Sequence, residues 1–295
     1  ESGSLEDLVS AADSACYIAK QQGRGRVHVY SARDEAVARH RGEIMWLQRL
    51  QTALRENRFD LHVQPIVSTG GRDIPGPAME VLLRMRDDQG NEILPGEFIG
   101  AAERYHLMPY VDRWVVQTTL AALGRETIRI PAHRSCTINI SGQTLADETF
   151  LEFVVECLDR SVVAPASICF EVTEGAVVAN LKQTHRFISV LHGMGCKFAL
   201  DDFGSGLGSL ANLKNLAIDY LKIDGTFVRS LSEDHANQAL VSAMVKLGKS
   251  LHFKVIAEQV EDDVSYDAVK ALGVDFVQGY AVGYPRSLYP DAISA

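Results

Sequence analysis

Residues 60–85 read DLHVQPIVSTGGRDIPGPAMEVLLRM. Two apolar runs, Asp60–Val67 and Pro77–Met85, flank a short segment rich in Gly and Pro, Ser68–Gly76. Runs of branched and apolar residues bounded by Gly and Pro are predicted strands. A parallel crossover between them needs a dozen or more residues, usually a helix. Ser68–Gly76 is too short to supply one, so these two strands are predicted antiparallel.

Downstream the connections lengthen. Candidate strands at Ser135–Ile140, Ser167–Thr173, Cys196–Asp201, Asp219–Ile223, Phe253–Ala257 and Val274–Val277 alternate with helical patterns. The helical patterns include Val111–Leu123, Phe150–Asp159, Leu181–Leu191 and Ala236–Leu251. Eight strands with helices between most of them predict an α/β fold, a TIM-type (β/α)8 barrel modified by an antiparallel first strand. A doubly wound open sheet is the alternative architecture.

Upstream, residues 33–56 carry Ile44, Leu47, Leu50 and Leu54 on one helical face, a helix joined to the barrel that is assigned to residues 57–295. Residues 1–32 read as a helix stopped at Gly23 and a strand through Val27, Val29 and Tyr30. Two elements cannot bury a core of their own. The chain opens at Glu1 without an initiator Met or a signal-peptide pattern, so this piece is expected to be a docking flap or the tail of a domain cut from a longer protein.

Composition narrows the function classes. Of 295 residues, 46% are hydrophobic and 23% charged, which excludes a mainly disordered chain. The formal charge of −9 argues against a nucleic-acid polymer or an anionic membrane as partner. No apolar run approaches the ~18 residues of a membrane span. The five cysteines (Cys16, Cys136, Cys157, Cys169 and Cys196) are odd in number and form no C-x-x-C pair. A disulfide framework or zinc site is therefore not expected, and a reducing cytoplasm is. A membrane-anchored parent would face this part to the cytoplasm.

The polar residues of the apolar strands gather near one end. Glu171 stands in ICFEVTE, Asp201 and Asp202 end KFALDD, Glu258 follows KVIA, and Asn139 lies near the end of CTINIS. Lys222 and Asp224 end YLKID, and Gln278 follows DFV. Any one such carboxylate is ordinarily a cap for the next helix. Several strands showing one at the same end is another matter, because barrel active sites lie at the strands' C-terminal ends. The set Glu80, Asn139, Glu171, Asp201, Asp202 and Glu258 is all oxygen, which suits Mg²⁺, Mn²⁺ or Ca²⁺. Two such ions about 3.5–4 Å apart are a common device for phosphoester hydrolysis. Arg84 and Lys222 supply positive charge for a phosphate, and Gln64 a polar contact.

These residues carry a resemblance. The stretch from about Leu47 to Pro285 resembles the EAL family of cyclic di-GMP phosphodiesterases. The naming motif stands as Glu80-Val81-Leu82-Leu83-Arg84, with VQPIV, LPGEFI, VDRWV, INIS, FEVTE, ALDDFGSG, LKID, IAEQVE and QGY following in the family's order. The resemblance implies a modified (β/α)8 barrel with an antiparallel first strand. It implies metal-dependent hydrolysis of cyclic di-GMP to linear pGpG with two ions, Mg²⁺ or Mn²⁺, and inhibition by Ca²⁺. By motif, Glu80, Asn139, Glu171 and Asp201 resemble the ligands of one ion, and Asp201, Asp202 and Glu258 those of the second. Lys222 and Gln278 resemble the residues that hold the nucleophilic water, with Glu258 also at the reacting centre. Gln64, Leu82 and Arg84 resemble substrate contacts, with Asp224 beside them. Glu174 resembles the glutamate that anchors the loop after Asp202, a loop tied to metal binding and homodimer formation. Val81, Ser205 and Gln259 depart from the family's usual Ala, Thr and Gly. Residues 12–27 are similar to the closing helix and strand of a GGDEF domain, which implies a GGDEF–EAL tandem parent. The competing reading is a non-catalytic cyclic di-GMP receptor. Such relatives lack one or more metal ligands, and none is lost here.

Overall fold

A computed structural model of the chain describes residues 35–71, 73–204 and 215–288. The GGDEF-like tail and the loop glycines Gly206 and Gly208 lie outside the described residues. Among the described residues there are ten strands: β1 (Phe59–Ser68), β2 (Gly76–Arg86), β3 (Glu92–Ile93), β4 (Arg134–Asn139), β5 (Ile168–Thr173), β6 (Lys197–Phe203), β7 (Tyr220–Ile223), β8 (Lys254–Ala257), β9 (Phe276–Gln278) and β10 (Arg286–Ser287).

Eight of them close a barrel in the order β1-β9-β8-β7-β6-β5-β4-β2, and β2 pairs back onto β1. β1 runs antiparallel to both neighbours, with Gln64 opposite Glu80 on β2 and Ile66 opposite Gln278 on β9. The other barrel neighbours are parallel. The antiparallel first strand expected from the short Ser68–Gly76 connection is thus present. Thr69, just past β1, fixes that connection by donating its hydroxyl to Val274 O at 2.6 Å. Where β9 stops short, β10 pairs with β1 at His62–Val63.

Six strands contribute one buried residue each to a cluster of Ile66, Cys169, Ala199, Tyr220, Ile256 and Phe276. Burying a large apolar side chain contributes about 1.5–3 kcal/mol, so this cluster is a substantial share of the barrel's stability. Gly76 opens β2 because a Cβ there would lie 2.2 Å from the Phe276 ring. Helices cover the outside through periodic apolar faces. Phe150, Val154 and Leu158 are the buried stripe of helix Glu148–Arg160, four residues apart as the 3.6-residue turn requires. In helix Leu181–Gly193 the buried face is Thr184, Phe187, Ile188 and Leu191. Phe187 meets Phe150, Phe170 of β5 and Phe198 of β6 with centroids 5.7–5.9 Å apart, which ties both helices to the sheet.

Residues 35–58 and 86–107 form a smaller compact unit. It holds helix Glu35–Glu56 with Leu50 and Ala53 buried, β3, and helix Pro95–Arg104 with Phe98 and Ala102 buried. Pro95 stands at the first helical position, where its missing N–H costs nothing, and Glu97 accepts from Leu94 N at 3.3 Å. Among the described residues no helix is long and apolar enough to cross a membrane.

Arg134 closes the barrel end where the parallel strands begin. It is buried, lies over the Phe276 ring, and donates to Gly76 O at 3.1 Å, Ile66 O at 3.0 Å and Pro77 O. Removing it leaves three buried carbonyls without that donor, each costing about 1–3 kcal/mol unless relieved by water. Arg134→Ala is expected to lower unfolding stability by about 2–4 kcal/mol. Urea unfolding checks this, and a loss below about 0.5 kcal/mol, the usual range of surface substitutions, would contradict the role.

Candidate active site

The opposite end of the barrel carries the polar residues. Its centre is Lys222 on β7, whose side chain is almost wholly buried and whose Nζ is ringed by carboxylates. Glu258 Oε1 lies 2.6 Å away, Glu171 Oε2 2.8 Å, Glu80 Oε2 3.2 Å and Asp201 Oδ1 3.7 Å. These four come from β2, β5, β6 and the residue after β8, so the barrel's closure is what assembles them.

The two adjacent aspartates share this end through an irregularity in β6. Successive residues of a regular strand point to opposite faces. β6 pairs with β7 at Ala199–Tyr220 and Leu200–Leu221 and resumes at Phe203–Ile223, so Asp201 and Asp202 together stand against Lys222 alone. Such a bulge re-aims a side chain. Asp202 sits at φ 55°, and its N–H donates to Asp201 Oδ1 at 2.9 Å. Asp201, Asp202 and Glu258 each present a carboxylate oxygen within 4.8 Å of the others.

The remaining polar groups orient this cluster. Asn139 Nδ2 donates to Glu80 Oε1 at 2.6 Å. Gln278 Nε2 donates to Glu80 Oε2 at 2.7 Å and to Gln64 Oε1 at 3.2 Å, and Gln64 Nε2 donates to Gly283 O at 3.1 Å. Gln64, Leu82, Arg84, Glu80, Glu258 and Gln278 line one cleft of about 390 Å³. Glu174 lies one step away: it opens helix Glu174–Ala179, and its Oε2 accepts from Gly204 N at 3.2 Å, just past the aspartates. Asp224 accepts from Thr226 N at 2.7 Å and caps helix Gly225–Val228, outside the cleft lining among the described residues. Gln259, the departure from Gly, adopts φ 51°, a left-handed conformation that glycine takes at less cost. Its side chain covers Gly225, where a Cβ would lie 2.3 Å from Gln259 Cδ.

Five carboxylates against one ammonium set the electrostatics. For Lys222, burial pulls the pKa down, but Asp201, Glu171, Glu258 and Glu80 outweigh it and hold the group well above the ordinary lysine value. Burial and the nearby charge of Glu80 push Glu171 well above the usual carboxylate range. Glu80 is held below it: burial acts upward, and Lys222 with the bonds from Gln278 and Asn139 overrides it. Burial, with Asp201 and Glu80 adding repulsion, pushes Glu258 up to about 8 against the pull of Lys222. Burial and Asp201 also raise Asp202.

This set fits divalent cations. Its donors are oxygens, and Glu171 Oε1 and Gln278 Oε1 are buried without a hydrogen-bond partner among the described residues. A hard cation satisfies such oxygens and offsets the surplus negative charge. Tyr280 lines the same cleft, and Tyr284 stacks on it. Tyr280 stands in the QGY motif without a role of its own, and Tyr284 in none of the motifs, although two tyrosines four apart in a Gly-rich turn after Gln278 are a visible signal.

Because a cation must displace the proton that Glu258 holds below about pH 8, Mg²⁺ or Mn²⁺ binding is expected to release protons at neutral pH and to tighten as pH rises from 6 to 8.5. Calorimetry in two buffers of different ionisation enthalpy checks this, and pH-independent affinity with no proton release would contradict it.

The geometry agrees with comparisons to known proteins. The model of the EAL domain matches residues 47–285. The cyclic di-GMP phosphodiesterase PdeB of Shewanella oneidensis is 33% identical over 96% of this chain and 33% of its own length. The cyclic di-GMP phosphodiesterase PdeF of Escherichia coli is 35% identical over 83% of this chain and 32% of its own. The chain therefore spans about a third of the length of these curated relatives. Among solved structures, the MucR phosphodiesterase in complex with c-di-GMP superposes with TM-score 0.76 at 31% identity, covering 82% of this chain and 97% of that one. The FimX EAL domain from Pseudomonas aeruginosa bound to c-di-GMP gives 0.75 at 28% identity, covering 83% and 98%. With the family's model matched over most of its length and its acidic residues gathered at one barrel end, this chain belongs to the EAL domain family.

Proposed function

We propose that this chain hydrolyses cyclic di-GMP to linear pGpG with two divalent cations, Mg²⁺ or Mn²⁺. The observation that carries the reading is the ring of carboxylates around buried Lys222 at one end of a barrel whose relatives are named cyclic di-GMP phosphodiesterases. Glu80, Asn139, Glu171 and Asp201 would hold one cation, and Asp201, Asp202 and Glu258 the other. Such cations lower the pKa of a bound water and offset charge on the phosphoryl oxygens.

The chain's own residues do the rest. Lys222 Nζ stays charged and donates a hydrogen bond to the attacking water. Gln278 Oε1, buried without a partner among the described residues, accepts one from that water. The Gln278 amide is held for this by its bonds to Glu80 and Gln64. Glu258, ionised once the cation is held, accepts the attacking water's proton. The water oxygen bonds to phosphorus, the P–O3′ bond breaks, and the 3′ oxygen leaves as a hydroxyl after taking a proton from solvent. Arg84 meets the phosphate, while Gln64, Leu82 and, further out, Asp224 contact the nucleoside. Glu174 acts at one remove as a positioning residue, through the segment that follows the aspartates and the homodimer contact it is expected to make.

A receptor that binds without turnover would be expected to lack part of the acidic set, and every one of those positions is filled here. Ca²⁺, larger and looser in its coordination, is expected to bind and inhibit. The cytoplasm is the proposed location, in keeping with four free cysteines among the described residues.

Chelation is expected to abolish production of pGpG, Mg²⁺ or Mn²⁺ to restore it, and Ca²⁺ to fail to do so. Glu80→Ala is expected to cost several orders of magnitude in kcat while cyclic di-GMP binding falls less. Chromatography of the nucleotide products measures both. Full activity after exhaustive chelation, or a Glu80→Ala rate within about tenfold of the parent (~1.4 kcal/mol of barrier), would refute the assignment.

A further inference from the structure

Two tyrosines at the cleft rim have no part in the chemistry above. Tyr280 lines the cleft with Gln64, Arg84 and Gln278, and Tyr284 stacks on it with ring centroids 4.6 Å apart and planes inclined by 22°. Both rings are open to solvent, at 50% and 63% exposure. Contiguous aromatic surface left in water at a cleft is a mark of ligand contact.

The turn that carries them is held on every side. Val260 N donates to Gln278 O and Ala281 N to Val260 O, both at 3.0 Å. Gly279, at φ 152°, leaves no room for a Cβ, which would fall 2.1 Å from Val260 O. Gly283 N donates to Gly279 O at 3.1 Å, and Gly283 packs so closely on Pro65 that a Cβ would lie 2.4 Å from Pro65 Cγ. Gln64 Nε2 ties Gly283 O to the bonds that run through Gln278 to Glu80. The position of the two rings is therefore coupled to that of a metal-binding carboxylate.

Resting on the reading of the cleft as a cyclic di-GMP site, we propose that Tyr280, backed by Tyr284, is a stacking platform for one guanine base. A charged cleft can meet phosphates and base edges, but a purine's face needs a flat apolar partner. Stacking a base on an aromatic side chain is worth about 1–3 kcal/mol. Tyr284 holds the Tyr280 ring in place, so less side-chain freedom is lost on binding. The platform therefore contributes to substrate binding and leaves the bond-breaking step untouched.

The test is steady-state hydrolysis of cyclic di-GMP with Mg²⁺ by the parent and by Tyr280→Phe, Tyr280→Leu, Tyr280→Ala and Tyr284→Ala, with dissociation constants for cyclic di-GMP measured in Ca²⁺. Tyr280→Phe is expected to keep KM within about twofold, and Tyr280→Leu and Tyr280→Ala to raise it about tenfold or more with kcat within about threefold. Tyr284→Ala, at the more exposed ring, is expected to raise KM by about threefold, and it carries the test should a Tyr280 variant fail to fold. Leu matching Phe, unchanged KM throughout, or a fall in kcat at constant KM would overturn the platform. A parent that binds without hydrolysing contradicts the functional reading alone, and the order of the dissociation constants then decides the platform. A parent that neither binds nor hydrolyses cyclic di-GMP overturns both.

Discussion

The site depends on one buried ammonium. Lys222 Nζ lies within 2.6–3.7 Å of four carboxylates that no two neighbouring residues of the sequence supply. A lone buried lysine would lose its charge, and a lone group of buried carboxylates would take up protons. Together they keep each other charged in part, and the surplus negative charge is what makes the end of the barrel a place for cations. Removing the lysine would leave the carboxylates uncompensated, and removing a carboxylate would leave the lysine short of a partner, so the arrangement is sensitive from both sides.

The backbone carries strain where it serves this cluster. Asp202 at φ 55° and Gln259 at φ 51° are left-handed non-glycine residues, and each stands beside a carboxylate of the set. Such conformations cost of order 1–3 kcal/mol and persist where the surrounding structure holds them. At Asp202 the holding elements are the bulge against β7 and the Asp201 carboxylate. At Gln259 the side chain packs over Gly225, a residue whose lack of a Cβ makes room for it. The amide relay from Glu80 through Gln278 and Gln64 to Gly283 joins the carboxylate cluster to the cleft rim by hydrogen bonds of 2.7–3.2 Å. The carboxylate cluster and the cleft rim thus form one connected set of groups.

Much of this was legible in the sequence, for identifiable reasons. The length of Ser68–Gly76 forces an antiparallel first pair, and the strand ends at Glu171, Asp201 and Glu258 collect at one end of any such barrel. The eight barrel strands begin and end within two residues of the expected ones, because alternating apolar runs and Gly or Pro breaks mark them, whereas the two-residue strands β3 and β10 were not expected. Short helices such as Gly142–Leu145, Glu174–Ala179 and Gly225–Val228 were not expected, since four to six residues are too few for a hydrophobic period to register. Helix Pro95–Arg104 carried its Pro and Glu start signal and passed as part of a motif. The bulge at Asp201–Asp202 is invisible in composition: it is a pairing between β6 and β7, and only the ladder reveals that both aspartates face Lys222. The use of Asp224 as a helix cap and the Tyr280–Tyr284 stack likewise arise from tertiary geometry.

The most direct test of the account is a crystal of this protein grown with Mn²⁺ and cyclic di-GMP, with the metal positions read from anomalous scattering. Two peaks about 3.5–4 Å apart, bridged by Asp201 and flanked by Glu80, Glu171, Asp202 and Glu258, are the expected result. A nucleotide bound in the cleft with no metal peak among these carboxylates, or with metal only elsewhere on the surface, would contradict it.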